Sequence, residues 1–184
     1  MEALLNLDTE VFLALNAWGN AAVDTFFLFV TNKYFWIPGY LAIVVYLFIS
    51  RENRVALAIT FGIFLSFLLS DLGHFHLLKE TVERLRPCHV AEVREQMTLV
   101  AKSCGGRYGF VSGHASNSFA LAYCFAAVFR KWPYRHLFFV WAGLVAYSRI
   151  YIGVHYPLDI ICGALFGLVC AYLPVRFIIL KSDV

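Results

Sequence analysis

The sequence predicts an all-α fold, a multi-pass transmembrane bundle of five or six spans, and three observations carry that prediction. The chain of 184 residues is 61% hydrophobic and 15% charged, against about 45–50% apolar and about 25% charged in soluble domains. Its apolar residues gather in runs that approach the roughly 20 residues a spanning helix needs. Its short connectors are rich in Lys and Arg. So much apolar surface, at a mean hydropathy of +0.71, exceeds what a domain of this size buries in water, so lipid is the expected solvent. The length suits a single unit over 1–184. A net charge of +3 without any Lys/Arg block argues against a nucleic-acid partner. Met1-Glu2-Ala3 lacks the positive start of a cleavable signal peptide.

Taken in order, residues 1–33 read as two amphipathic helices lying along the membrane surface. Asp8 and Asn20 are the expected N-caps. Leu5, Val11, Phe12 and Leu15 form one apolar stripe, and Val23, Phe26, Phe27 and Val30 a second. Asp8, Glu10 and Asp24 interrupt any full span, which favours the interfacial reading; a sixth span is the alternative. Five spans follow over 35–50, 55–78, 115–129, 136–152 and 158–173. Arg51 stops the first, and Pro174 follows the last. Alternation then puts the 51–54 and 130–135 connectors and the 176–181 tail on one side. These hold Arg51, Arg54, Arg130, Lys131, Arg135, Arg176 and Lys181, the cytoplasmic pattern of the positive-inside rule. Tyr34 and Trp36 at one end, and Trp132 and Tyr134 at the other, suit the two aromatic belts. The long hydrophilic stretch 79–112 falls on the outer side, and loops of that length in a compact protein are usually functional.

Three polar clusters reach that same outer face: Lys79 with Arg86-Pro87, Ser112-Gly113-His114, and Ser148-Arg149 with His155 and Asp159. Polar groups at such depth are costly and mark function. Lys79, Arg86 and Arg149 supply a point charge and two planar forks for phosphate oxygens. Ser112 and Gly113 let the backbone approach an anion, and a helix starting near His114 turns its N–H groups toward it. Asp159, four residues after His155, shares a face with it on a helical turn. The carboxylate then holds one imidazole N–H and leaves the other nitrogen to attack phosphorus. His114 is the candidate general acid for the leaving oxygen. With three cations present, the charge role often given to Mg²⁺ is already filled, so no metal or cofactor is expected.

These clusters closely resemble the signature of the type 2 phosphatidic acid phosphatase superfamily: K-x6-R-P, then P-S-G-H, then S-R-x5-H-x3-D. Lys79, Arg86 and Pro87 match the first motif. Ser112, Gly113 and His114 match the second, with Val111 standing where Pro is usual. Ser148, Arg149, His155 and Asp159 match the third. The resemblance implies a helical core related to vanadium-dependent haloperoxidases and a phosphohistidine intermediate on His155, hydrolysed by water. It also implies a phosphate site of Lys79, Arg86, Ser112, Gly113, His114 and Arg149. The substrate class it implies is a membrane lipid phosphate or diphosphate. Undecaprenyl diphosphate comes first, since the site faces outward; phosphatidate, phosphatidylglycerol phosphate and lipid A phosphates are alternatives. A phosphotransferase using the same phosphohistidine is the rival enzyme, and a non-catalytic membrane protein the rival class. The expected location is a bacterial inner membrane with the site on its periplasmic face, and no obligate protein partner is expected.

Some residues keep two readings. Ser148 either touches substrate or bonds backbone in its own helix. Asp71 and His74 are three apart, close enough to pair; with His76 and His89 they fit no known metal-ligand set, so structural or interfacial roles are expected for them. Cys88 and Cys104 share the outer loop, which faces an oxidising compartment in bacteria, so a disulfide between them is expected. Cys124, Cys162 and Cys170 lie in apolar spans and read as inert fillers.

Overall fold

The computed structural model describes residues 2–16 and 18–182. Its long elements are α1 (Glu2–Leu15), α2 (Ala21–Val30), α3 (Lys33–Ser50), α4 (Asn53–Val82), α5 (Gly113–Val128), α6 (Leu137–Tyr151) and α7 (Pro157–Ser182). By length and composition α3, α4 and α7 are apolar enough to cross a membrane, while α2 and α6 are shorter apolar helices. All five expected spans are therefore helical, but two of them, α5 and α6, are only 16 and 15 residues long.

Local signals explain most helix ends. Asn20 caps α2 by accepting from the Ala22 and Val23 N–H groups at 3.0 and 3.3 Å. Asn32 does the same for α3 through Tyr34 N–H at 3.1 Å, so this helix starts two residues before the expected span. Asp8 is not a cap: it sits in the middle of α1 and is buried. Nor does Pro174 end the last helix. α7 runs through it by widening into a π turn at Val175–Ile179, one way to accommodate the N–H that proline lacks. A second π turn, His74–Lys79, lies toward the C-terminal end of α4.

The most buried helix is α5, enclosed by α4, α6 and α7. Its small residues Ala115, Ser116, Ala120, Cys124 and Ala127 are buried, which lets neighbours come close. Gly163 and Gly167 make a G-x-x-x-G face on α7, where added Cβ atoms would strike the backbone of Ser112 and Ser116. The opposite face of α7 carries Ile161, Leu165 and Val169, all exposed, an apolar stripe at helical spacing that suits lipid contact. Trp36 departs from the belt expectation. Its indole donates to Val30 O at 2.9 Å and packs edge-on against Trp141, so it faces the bundle interior.

The 83–112 loop is folded back on itself. Leu85 and Tyr108 form an antiparallel bridge, and Arg86 N–H donates to Arg107 O at 3.2 Å. Cys88 and Cys104 are bonded, with a Cα–Cα separation of 6.1 Å. The end of α1 clips this loop, because Asn16 accepts from Thr98 N–H at 2.8 Å and donates to Tyr151 O at 2.8 Å. Phe12 on the same helix is fully buried against Val93, Ile150 and Tyr156.

Candidate active site

Local turns bring His155 under Arg149. α6 ends at Tyr151, and Gly153 takes a left-handed φ of +87°, the conformation that commonly reverses a chain after a helix. The reversal returns Val154 and His155 N–H groups to the Arg149 carbonyl at 3.1 and 3.3 Å. Pro157 then opens α7 at its first position. His155 therefore lies just outside the helix rather than on a helical turn. Asp159, in the first turn of α7, reaches back and accepts from Tyr156 N–H at 3.1 Å and from His155 Nδ1 at 3.3 Å. The expected contact exists, produced by helix-start geometry. It leaves Nε2 of His155 as the free nitrogen.

The close approach of α7 to α5 joins the second motif to the third. Ser112 N–H donates to Asp159 O at 3.0 Å, and α5 begins at the next residue. A Cβ on Gly113 would collide with the His74 ring unless that side chain moved. Arg86 is buried and extended before Pro87, with Nε donating to Tyr108 O at 3.2 Å and Nη1 to Val154 O at 3.4 Å. Arg149 Nη1 donates to Thr31 Oγ1 at 2.6 Å.

These residues converge. Lys79, Arg86, Gly113, His114, Arg149 and His155 all line one cavity of about 810 Å³. Two buried polar atoms in these motifs have no protein partner, Ser112 Oγ and Arg149 Nε. Buried donors are normally paired; Arg149 lines the cavity, and Ser112 is not among its lining residues but immediately precedes two of them, Gly113 and His114. Ser148 does not join it; its Oγ donates to Val145 O at 2.6 Å within α6. Asp71 and His74, which the spacing allowed to pair, take other partners. Asp71 accepts from Asn117 Nδ2 at 2.7 Å, while His74 Nδ1 donates to Ser70 O at 3.0 Å.

Burial pushes the His155 imidazole well below its ordinary pKa of 6.5, and Arg86, Arg149 and Lys79 push it the same way. His155 is therefore neutral, the form a nucleophile needs. A sign follows for stability. Below 6.5 the unfolded chain binds a proton that folded His155 refuses, so stability is lost as pH falls from 6.5 toward the depressed native value. In phosphate-free detergent, the unfolding temperature of the wild type is expected to drop between about pH 7.5 and about pH 5.5 by more than that of His155→Gln. Equal drops in both proteins would contradict the depressed imidazole.

Sequence reasoning missed Arg84 and Asp8. Arg84 lies inside the K-x6-R-P spacing, and its guanidinium bridges Asp159 Oδ1 at 2.9 Å and Asp8 Oδ2 at 2.6 Å. The available signal was the register of Asp8, four residues before the apolar Phe12 and hence on the same buried face of α1.

The chain is similar to several known proteins. The family model described as PAP2 superfamily matches residues 54–181. The chain is 34% identical to a lipid A 4'-phosphatase of Porphyromonas gingivalis, over 94% of this chain and 73% of that protein. It is 26% identical to an undecaprenyl-diphosphatase of Sulfolobus acidocaldarius, over 95% of this chain and 80% of that protein. The fold matches the crystal structure of a PAP2-type phosphatidylglycerolphosphate phosphatase from Bacillus subtilis with a TM-score of 0.74. That match has 24% identity and covers 96% of this chain and 87% of that one.

Proposed function

The chain belongs to the PAP2 superfamily, and from that premise we propose that this membrane phosphatase hydrolyses a lipid phosphate through a phosphohistidine on His155. Nε2 attacks phosphorus in line with the leaving lipid oxygen. Lys79, Arg86 and Arg149, with Ser112 Oγ and the first N–H groups of α5, hold the phosphoryl oxygens as charge shifts onto them. His114 donates a proton to the departing oxygen. Water then attacks the phosphohistidine and releases inorganic phosphate. Asp159 keeps the imidazole oriented and stabilises its cationic form. The site faces the periplasmic side in this reading, with 79–112 as its outer loop.

The single observation behind this reading is the cavity, which joins the cations and both His to an apolar groove. Its walls are graded along the helices. From Lys79 down α4 come His74 and Asp71, then Phe67 and Phe64; from His114 down α5 come Asn117, then Leu121 and Phe125. Hydroxyl- and amide-binding groups therefore lie between the phosphate site and the tail groove. That order favours a phosphate monoester on a polar headgroup with acyl tails, the lipid A type, and the 34% identical relative supports it. Undecaprenyl diphosphate is the second reading, supported by the 26% identical relative and by the apolar depth of the groove.

The test is phosphate release by detergent-purified protein from lipid A, undecaprenyl diphosphate, phosphatidate and phosphatidylglycerol phosphate, with EDTA present. Release is expected to survive EDTA and to be fastest with lipid A. Release fastest from the isoprenoid diphosphate would select the second reading. Transfer of labelled phosphate to another lipid, without free phosphate, would replace hydrolase by phosphotransferase.

A further inference from the structure

We propose that Asp8 and Arg84 are positioning residues for the reaction, forming with Asp159 and His155 one buried relay that reaches out of the catalytic motifs into the N-terminal helix. It rests on the reading of His155 as nucleophile.

The relay is continuous. Asp8 Oδ2 accepts from Arg84 Nη2 at 2.6 Å, Arg84 Nη1 donates to Asp159 Oδ1 at 2.9 Å, and Asp159 Oδ2 accepts from His155 Nδ1 at 3.3 Å. Side-chain exposure is 2% for Asp8, 16% for Arg84 and 0% for Asp159, so the links are little screened by solvent. The Arg84 guanidinium also lies over the Tyr156 ring, 4.1 Å from its centroid. Asp8 has a second task. Its Oδ1 accepts from Leu158 N–H at 2.9 Å, one of the N–H groups left without an intrahelical partner at the start of α7. Asp8 thus caps, from another helix, the turn that carries Asp159.

Two consequences follow for the chemistry. Arg84 occupies Oδ1 of Asp159, which leaves Oδ2 to His155 and to Tyr156 N–H. The imidazole is thereby held at one fixed oxygen. Asp8 also balances the charge of Arg84. Counting formal charges, Asp8, Arg84 and Asp159 sum to minus one, which offsets the imidazolium character that develops on His155 during attack. Without Asp8, the Arg84 cation faces Asp159 alone and weakens that offset. None of these groups lines the substrate cavity, so their loss is expected in turnover rather than in binding. Arg84 and Asp159 lie within the matched residues 54–181 and Asp8 lies outside them, so α1 contributes to the site from beyond the family's matched core.

The test uses the full chain in detergent with lipid A as substrate. Asp8→Asn keeps the shape and one acceptor and removes the charge. It is expected to lower kcat roughly tenfold to a hundredfold, the range for loss of a partner behind a ligating histidine, with KM within about twofold. Asp8→Asn/Arg84→Gln removes both charges and is expected to lose less than the product of the single losses. Should Asp8→Asn lack a cooperative unfolding transition, the reading is taken from Arg84→Lys, which keeps the charge but not the fork and is expected to lower kcat with KM unchanged. A folded Asp8→Asn with wild-type kcat and a lowered unfolding temperature would reduce the relay to a structural clip and overturn the proposal. His155→Ala runs in parallel: activity retained there sinks the nucleophile reading itself, whatever the Asp8 result.

Discussion

His155→Ala is expected to reduce lipid phosphate hydrolysis on the order of 10⁶-fold, the cost of losing a nucleophile that acts as a unit with its partners. Neutral imidazole with Nδ1 committed to Asp159 leaves only Nε2 to form the bond to phosphorus, and no other neutral nitrogen nucleophile is so held among the described residues of the cavity wall. The other two imidazoles of the wall are bonded to backbone instead, His74 to Ser70 and His114 to Thr31. Asp159→Asn is expected to cost on the order of 10⁴-fold, because an amide holds the ring less well and cannot balance its charge. Rapid alkali quench of wild type with labelled substrate should trap label on His155, stable in alkali and released by acid. A His155→Ala protein retaining more than about a hundredth of wild-type turnover would remove the covalent mechanism.

Arg149→Ala carries the second large effect. Arg149 is a half-fixed fork: Nη1 is anchored on Thr31 Oγ1, while Nε is buried without a protein partner. Its loss is expected to lower kcat about 10²- to 10³-fold, as for removal of one donor to a developing oxyanion. Arg149→Lys should recover only part of this, since an ammonium restores charge without the planar fork. Stability should move the other way. Lys79, Arg86 and Arg149 are like charges around one cavity, and Asp159 offsets only part of their repulsion, through Lys79 and Arg86. Arg149→Met is therefore expected to raise the unfolding temperature while lowering turnover as far as Arg149→Ala does, the trade seen where a site is strained for function. Phosphate added to wild type should raise it as well, by mass action. An Arg149→Met protein with lower stability and near-normal turnover would contradict both halves.

The parts of the site legible in the chain were those encoded by short spacing. Arg86 before Pro87, Ser112-Gly113-His114 at a helix start, and His155 four residues from Asp159 are each fixed by local backbone preference. Their order between apolar runs was enough to send all three clusters to one end of the bundle. Helix existence followed from hydrophobic run length, and the Asn20 cap from residue type.

What failed involved choices between local and distant partners. Asp8 reads as a cap because aspartate favours that place, yet Arg84 and the start of α7 together outbid that local role. Pro174 reads as a stop, yet packing along α4 and α5 keeps α7 helical through a π turn. Trp36 reads as a belt residue, yet Val30 O and Trp141 turn it inward. Ser148 kept two readings and Asp71 had one candidate partner, His74; the azimuth of their helices gave Ser148 to Val145 O and Asp71 to Asn117. By itself, then, the sequence determined the apolar helices, the three polar motifs and the end of the bundle they share, because hydrophobic length and short spacing act within one segment. Only the tertiary structure decided which buried charges meet across helices, because that depends on the rotation and depth at which each helix docks, and here small residues on α5 and α7 set both.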